Sequence, residues 1–283
     1  MSVTAQRKIK IVADSSADLV ELDGIDFKSA PLKIITSEKE YIDNAELDVA
    51  EMANAMLLYN GKSSTSCPNV SDWLEAFGDA DEIYCVTITA ALSGSYNAAM
   101  LAKREYEEAH PDRRVFVLNS LSTGPEMVLI IEKLRELALA GRDFDAICYE
   151  IEEYSQKTGL LFMLESLKNL ANNGRVSPIV AKMAGLLGIR LVGKASERGD
   201  LEPLNKCRGE RKAIDTVVEH LEALGLKSGK VRIGHCLNES AAETLRDAIL
   251  KKFTDAKIEI YKLRGLCSFY AEKGGIIVGF EKV

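Results

Sequence analysis

Three clusters of small polar side chains carry the chemistry legible in this sequence. The first is Ser63-Ser64-Thr65-Ser66-Cys67-Pro68. The second is Thr87, Thr89, Ser93, Gly94 and Ser95, and the third is Asn119-Ser120 with Ser122-Thr123-Gly124. Hydroxyls beside the unpaired N–H groups of a helix N-terminus make a neutral, donor-rich site for an anion. Taken singly, each cluster reads more simply as helix caps and loop residues. Taken together they say more. If the sheet is parallel, all three lie at one end of it, where open α/β sheets bind ligands.

Ser93 and Cys67 are also the candidate nucleophiles of a hydrolase or transferase, which needs a base within reach. The three histidines are His110, His220 and His235. His110 ends a helix before Pro111, and His220 falls in an amphipathic helix. Only His235, at a strand end, is placed to act as a base or ligand. No P-loop, dinucleotide fingerprint, HExxH or GxSxG pattern is present. No metal site assembles at the usual spacings.

The elements that must position these residues follow from periodicity. Strands are expected over Lys8–Ala13, Ile83–Thr89 and Val115–Leu118. Ser15 or Ser16 is read as the cap of a short helix through Leu22. Helices are expected over Leu47–Tyr59, from Ser71 or Asp72, and over Tyr96–His110, Pro125–Ala140 and Asp143–Thr158. Gly61–Asn69 reads as a polar loop. The pattern changes after Gly159. Leu160–Leu164, Ile189–Val192, Leu201–Lys206, Val231–Cys236 and Ile258–Leu263 read as strands. Leu167–Leu170, Ile179–Leu187, Arg211–Leu224 and Ser240–Phe253 read as helices. Ser268–Ala271 and Ile276–Phe280 read as a closing hairpin. The expected fold is an α/β unit with a mainly parallel sheet over 1–159, followed by an α+β unit with a mixed sheet over 160–283.

The bulk properties narrow the class. The chain has 283 residues, 47% hydrophobic and 28% charged, as in a globular protein. Its formal net charge of −7 disfavours nucleic acid as a partner. The densest basic run, Lys206 to Lys212, is short and contains Glu210. No signal-peptide layout or membrane-spanning apolar stretch is found. The six cysteines are scattered without a CxxC pair, as expected of reduced thiols in the cytoplasm.

Six segments, in order, resemble those of the DegV family of fatty-acid-binding proteins. Ile11–Leu19, IVADSSADL, resembles the family's IVTDSTADL, and Thr65–Pro68 resembles TSxPS. Ile88–Tyr96, ITAALSGSY, resembles ISSxLSGTY, and Asn119-Ser120 stands where Asp-Ser is usual. Leu170–Ser177 resembles LxxGGRIS, and Leu204–Ala213 resembles LxKxRGxKKA. The resemblance implies a carrier, not an enzyme, that uses no cofactor. A long-chain fatty acid would lie between the two units and be presented to a separate kinase. It implies that Thr65 and Ser93 hold the carboxylate, with Ser66, Gly94, Ser95 and Arg175 around them. The apolar runs Leu160–Leu164 and Met183–Leu191 become candidates for the tunnel wall. The family's His-x-Gly-Pro-Gly-Ala-Leu-Gly segment is replaced here, and counting back from Phe280 puts Tyr270 at the histidine position.

Overall fold

The computed structural model describes residues 7–181 and 188–282. The N-terminal half builds a parallel sheet from β1 (Ile9–Asp14), β2 (Asp26–Ala30), β6 (Glu82–Thr87) and β7 (Arg114–Asn119), in the order β2-β1-β6-β7. A small antiparallel sheet of β3 (Lys33–Ile35), β4 (Glu40–Ile42) and β5 (Ser64–Ser66) has β3 at its centre. Helices α1 (Val49–Leu58), α2 (Val70–Phe77), α3 (Ser95–Ala109), α4 (Gly124–Leu139) and α5 (Phe144–Ser155) connect the strands.

The C-terminal half builds a six-stranded mixed sheet. Its strands are β8 (Thr158–Leu164), β9 (Ile189–Ala195), β10 (Leu201–Arg208), β11 (Gly229–His235), β12 (Ala256–Lys262) and β13 (Ile276–Glu281), in the order β10-β9-β8-β13-β11-β12. Only β11 and β12 run parallel. Helices α6 (Lys168–Asn172), α7 (Pro178–Ala181), α8 (Glu210–Ala223), α9 (Glu239–Lys252) and α10 (Gly265–Ala271) complete the chain. The protein is therefore α/β, with a parallel sheet first and a mixed sheet second.

Helix α4 joins the halves. Met127, Ile130 and Ile131 pack into the core of the parallel sheet, while the N-terminal end of the helix lies on β13. Gly279 of β13 permits that approach. A Cβ there would lie 2.4 Å from the carbonyl carbon of Pro125 and 2.5 Å from the Glu126 nitrogen.

Four expectations are corrected. The closing hairpin does not form, because Ser268–Ala271 belongs to α10. The carboxylate of Asp43 accepts the N–H groups of Gly265 (2.9 Å) and Leu266 (2.8 Å), capping that helix from far along the chain. The polar stretch Gly61–Asn69 contains β5, whose pairing partner β3 leaves only a three-residue trace in the sequence. The helix expected through Leu22 is one 3-10 turn, Ser15–Ala17, capped by Asp14 and ended by Asp18 at φ 58°. The next helix starts at Val70, with a reciprocal cap between Asn69 and Asp72. The expected helix Ile179–Leu187 is described only as far as Ala181, and the rest lies outside the described residues.

Candidate functional site

An apolar cavity of about 290 Å³ lies between the two sheets. Strand alternation decides which β8 side chains reach it. Leu160, Phe162 and Leu164 face the cavity, as expected for the tunnel wall. Leu161 and Met163 point the other way, into the core under α8 and α9. Ile277, Leu170 and Leu201 extend the wall. Of the other candidate stretch, 183–187 lies outside the described residues. Leu191 is buried in the adjoining core.

Part of the wall is rich in polar groups, and Lys194 and Asp200 also line the cavity. Thr65 sits on edge strand β5, held by pairing with Ile34. Its Oγ1 lies 2.7 Å from the Tyr270 hydroxyl. Tyr270 reaches the site from α10, whose other described residues are buried. Burial raises the phenol's pKa, while the Thr65 contact and Arg175 charge oppose that rise. The Tyr270 hydroxyl therefore keeps its proton through the neutral range and is a neutral donor.

Ser93 and Gly94 line the same part of the wall, from the loop between β6 and α3. Ser93 Oγ accepts the Ser95 N–H at 3.2 Å. Ser95 itself stands behind the wall. It is fully buried, and its hydroxyl donates to Asp14 Oδ2 at 2.6 Å. That oxygen also accepts the Ile88 N–H at 2.9 Å. Asp14 Oδ1 accepts the Ser16 hydroxyl at 2.5 Å. Burial pushes the Asp14 carboxyl up, and these donors pull it down. The acid thus ties the end of β1 to the loop carrying Ser93. Its sequence signal, an Asp followed by two serines at a strand end, looks like an ordinary turn.

Ser66, Cys67 and Arg175 also line this part. Arg175 Nε donates to the Leu92 carbonyl at 3.1 Å, and the guanidinium donates to the Asn173 carbonyl too. The arginine thus fixes its own loop against the Ser93 loop. The third cluster is mostly spent on structure. Asn119 Oδ1 accepts the Ala90 N–H at 3.1 Å, and the Ser122 hydroxyl donates to Glu126 at 2.5 Å. Thr123 reaches the cavity wall.

His235 does not join these groups. It is buried at the end of β11, off the cavity wall, with Nδ1 accepting the Asn238 N–H at 3.2 Å. Among the described residues, no histidine lines the cavity beside Ser93 or Cys67. Burial raises the Cys67 thiol pKa, and the nearby Asp14 charge raises it further. The raised pKa works against a Cys67 thiolate nucleophile. The arrangement suits an anion with an apolar tail. No group of three or more potential metal ligands is found among the described residues.

Fold and cavity define an α/β protein with a parallel and a mixed sheet, built around a largely apolar chamber with a hydroxyl-lined end. The family model "Uncharacterised protein, DegV family" matches residues 8–282. A DegV domain-containing protein of Streptococcus gordonii is 41% identical over 276 residues, covering 96% of this chain and 98% of that protein. The chain belongs to the DegV family. A DegV family protein from Eubacterium eligens, loaded with heptadecanoic acid, is 45% identical with TM-score 0.95, over 97% of this chain and 100% of that one. The Streptococcus pneumoniae Fatty Acid Kinase (Fak) B3 protein, loaded with linoleic acid, is 41% identical with TM-score 0.95, over 98% and 100%.

Proposed function

We propose that this protein binds one long-chain fatty acid, with its carboxylate on Thr65 and Ser93 and its tail in the apolar cavity. The observation that carries this reading is the Thr65–Tyr270 hydroxyl pair in the wall of a largely apolar chamber. Two hydroxyls that share one hydrogen bond still have a second proton to donate. A carboxylate placed there accepts that proton. The Ser93 hydroxyl and N–H groups of the Ser93–Gly94 loop add further donors. Arg175, in the same wall, supplies positive charge. Ser95 acts through Ser93.

The tail supplies most of the affinity. Each buried methylene contributes about 0.8 kcal/mol, so a long tail offers roughly 10 kcal/mol before ordering costs. The head needs only enough hydrogen bonds to escape a desolvation penalty. The neighbours that carry heptadecanoic and linoleic acid support this ligand class.

In this reading the protein is a cytoplasmic carrier of two units, 1–159 and 160–283, with the acid between them and no other cofactor. It hands the carboxylate to a separate ATP-using kinase. The neighbour named for a fatty acid kinase supports that partner. No described helix is long and apolar enough to cross a membrane.

Protein expressed in bacteria, denatured and extracted, should release about one equivalent of fatty acid by mass spectrometry. Recovery of no lipid, together with no binding of added oleate or palmitate, overturns the reading.

A further inference from the structure

We propose that Phe162, laid across Gly193 of the neighbouring strand, sets how large an acyl tail the cavity accepts. The inference rests on the fatty-acid reading above and names its selectivity residue. Phe162 lies at the centre of β8, between the wall residues Leu160 and Leu164. Its register partners are Gly193 on β9 and Ile277 on β13. A Cβ at Gly193 would lie 2.3 Å from Phe162 Cζ and 2.6 Å from Cε2. The ring therefore occupies the space that any other residue at 193 would fill. It is tipped onto β9 instead of standing upright in the chamber, and it remains part of the cavity wall.

Two consequences follow from this geometry. Removing the ring opens volume continuous with the cavity. A side chain at 193 forces the ring off β9 and into the cavity. The chamber is about 290 Å³, at the lower edge of the roughly 300–1,000 Å³ usual for small-molecule sites, so one aromatic ring is a large part of it. Each additional methylene that finds room strengthens binding about 4-fold.

The test is a displacement assay with palmitic, stearic and arachidic acids on the full chain. Phe162→Ala should raise the affinity ratio of arachidic to palmitic acid by about 10-fold or more. Gly193→Ala should shift the ratio the opposite way. The Glu202 carbonyl lies 2.6 Å from the new Cβ, so that variant has a second clash to relieve. Phe162→Leu provides an independent arm, with a ratio between wild type and Phe162→Ala. A folded Phe162→Ala or Phe162→Leu protein with the wild-type ratio overturns the proposal while leaving fatty-acid binding intact. Failure of the wild type to bind any of the acids overturns the binding reading itself.

Discussion

At the residue scale, the proposed site offers hydroxyl donors with the Arg175 charge beside them. Thr65→Val keeps the shape of the side chain and removes its donor. A hydrogen bond to a charged group contributes about 1.5–3 kcal/mol, so fatty-acid affinity should fall at least about 10-fold in a displacement titration. Tyr270→Phe should cost less, because it frees the Thr65 hydroxyl to face the carboxylate alone. Titration of the buried acids is a separate test. Burial and the neighbouring Asp43 charge raise the Asp18 carboxyl pKa from 3.8 to about 8, against the pull of the Arg264 N–H. Folding therefore favours protonated Asp18. Its stabilising contribution is full below about pH 4 and is lost as pH rises toward 8. Asp18→Asn can still accept the Arg264 N–H, so its melting temperature should fall less than that of wild type between pH 5 and pH 8. Equal falls would show that Asp18 does not titrate there. Thr65 and Ser93, which line the cavity, sit in segments recognisable in the sequence. The part played by Asp14 was not legible there, because its donors Ser95 and Ile88 are brought to it by folding.

At the element scale, the strands that alternate or run continuously apolar were readable, and those defined by a distant partner were not. β8 is a continuous apolar run, buried on both faces, and it falls where expected. β3 and β5 have three residues each and exist through pairing with one another. α10 shows the same limitation. Its sequence, GLCSFYA, fits strand or helix, and the choice is made by Asp43, more than 200 residues away. Asp43 is 1% exposed. Asp43→Ala leaves two buried N–H groups without an acceptor, at about 1–3 kcal/mol each. Urea unfolding should show a loss of at least about 2 kcal/mol. Because α10 carries Tyr270, ligand affinity should fall as well. A loss of stability with unchanged affinity would mean that α10 holds Tyr270 in place without Asp43.

At the scale of the whole molecule, the question is how a ligand enters a chamber enclosed by two sheets. The turn between β9 and β10 leaves the mixed sheet and meets the loops that follow β6 and β7 in the parallel sheet. Gly199 is its closest point. A Cβ there would lie 2.0 Å from Thr89 Oγ1 and 3.1 Å from the Leu121 Cα, and its φ of +82° suits glycine. Gly199, Asp200 and Thr89 all line the cavity, so this contact is also part of its enclosure. The strand readings Ile189–Val192 and Leu201–Lys206 imply a turn between them but not where its tip lands, since that depends on how α4 holds the parallel and mixed sheets. Gly199→Val cannot keep the contact and must lift the tip from Thr89. The tail is then less enclosed, while the apolar wall on β8 and β13 is unchanged. The dissociation rate of a fluorescent fatty acid should rise several-fold, and the association rate should rise with it, so that the equilibrium affinity changes less than either rate. A large loss of affinity with an unchanged association rate would instead place the entry route elsewhere and leave the hairpin tip as wall alone.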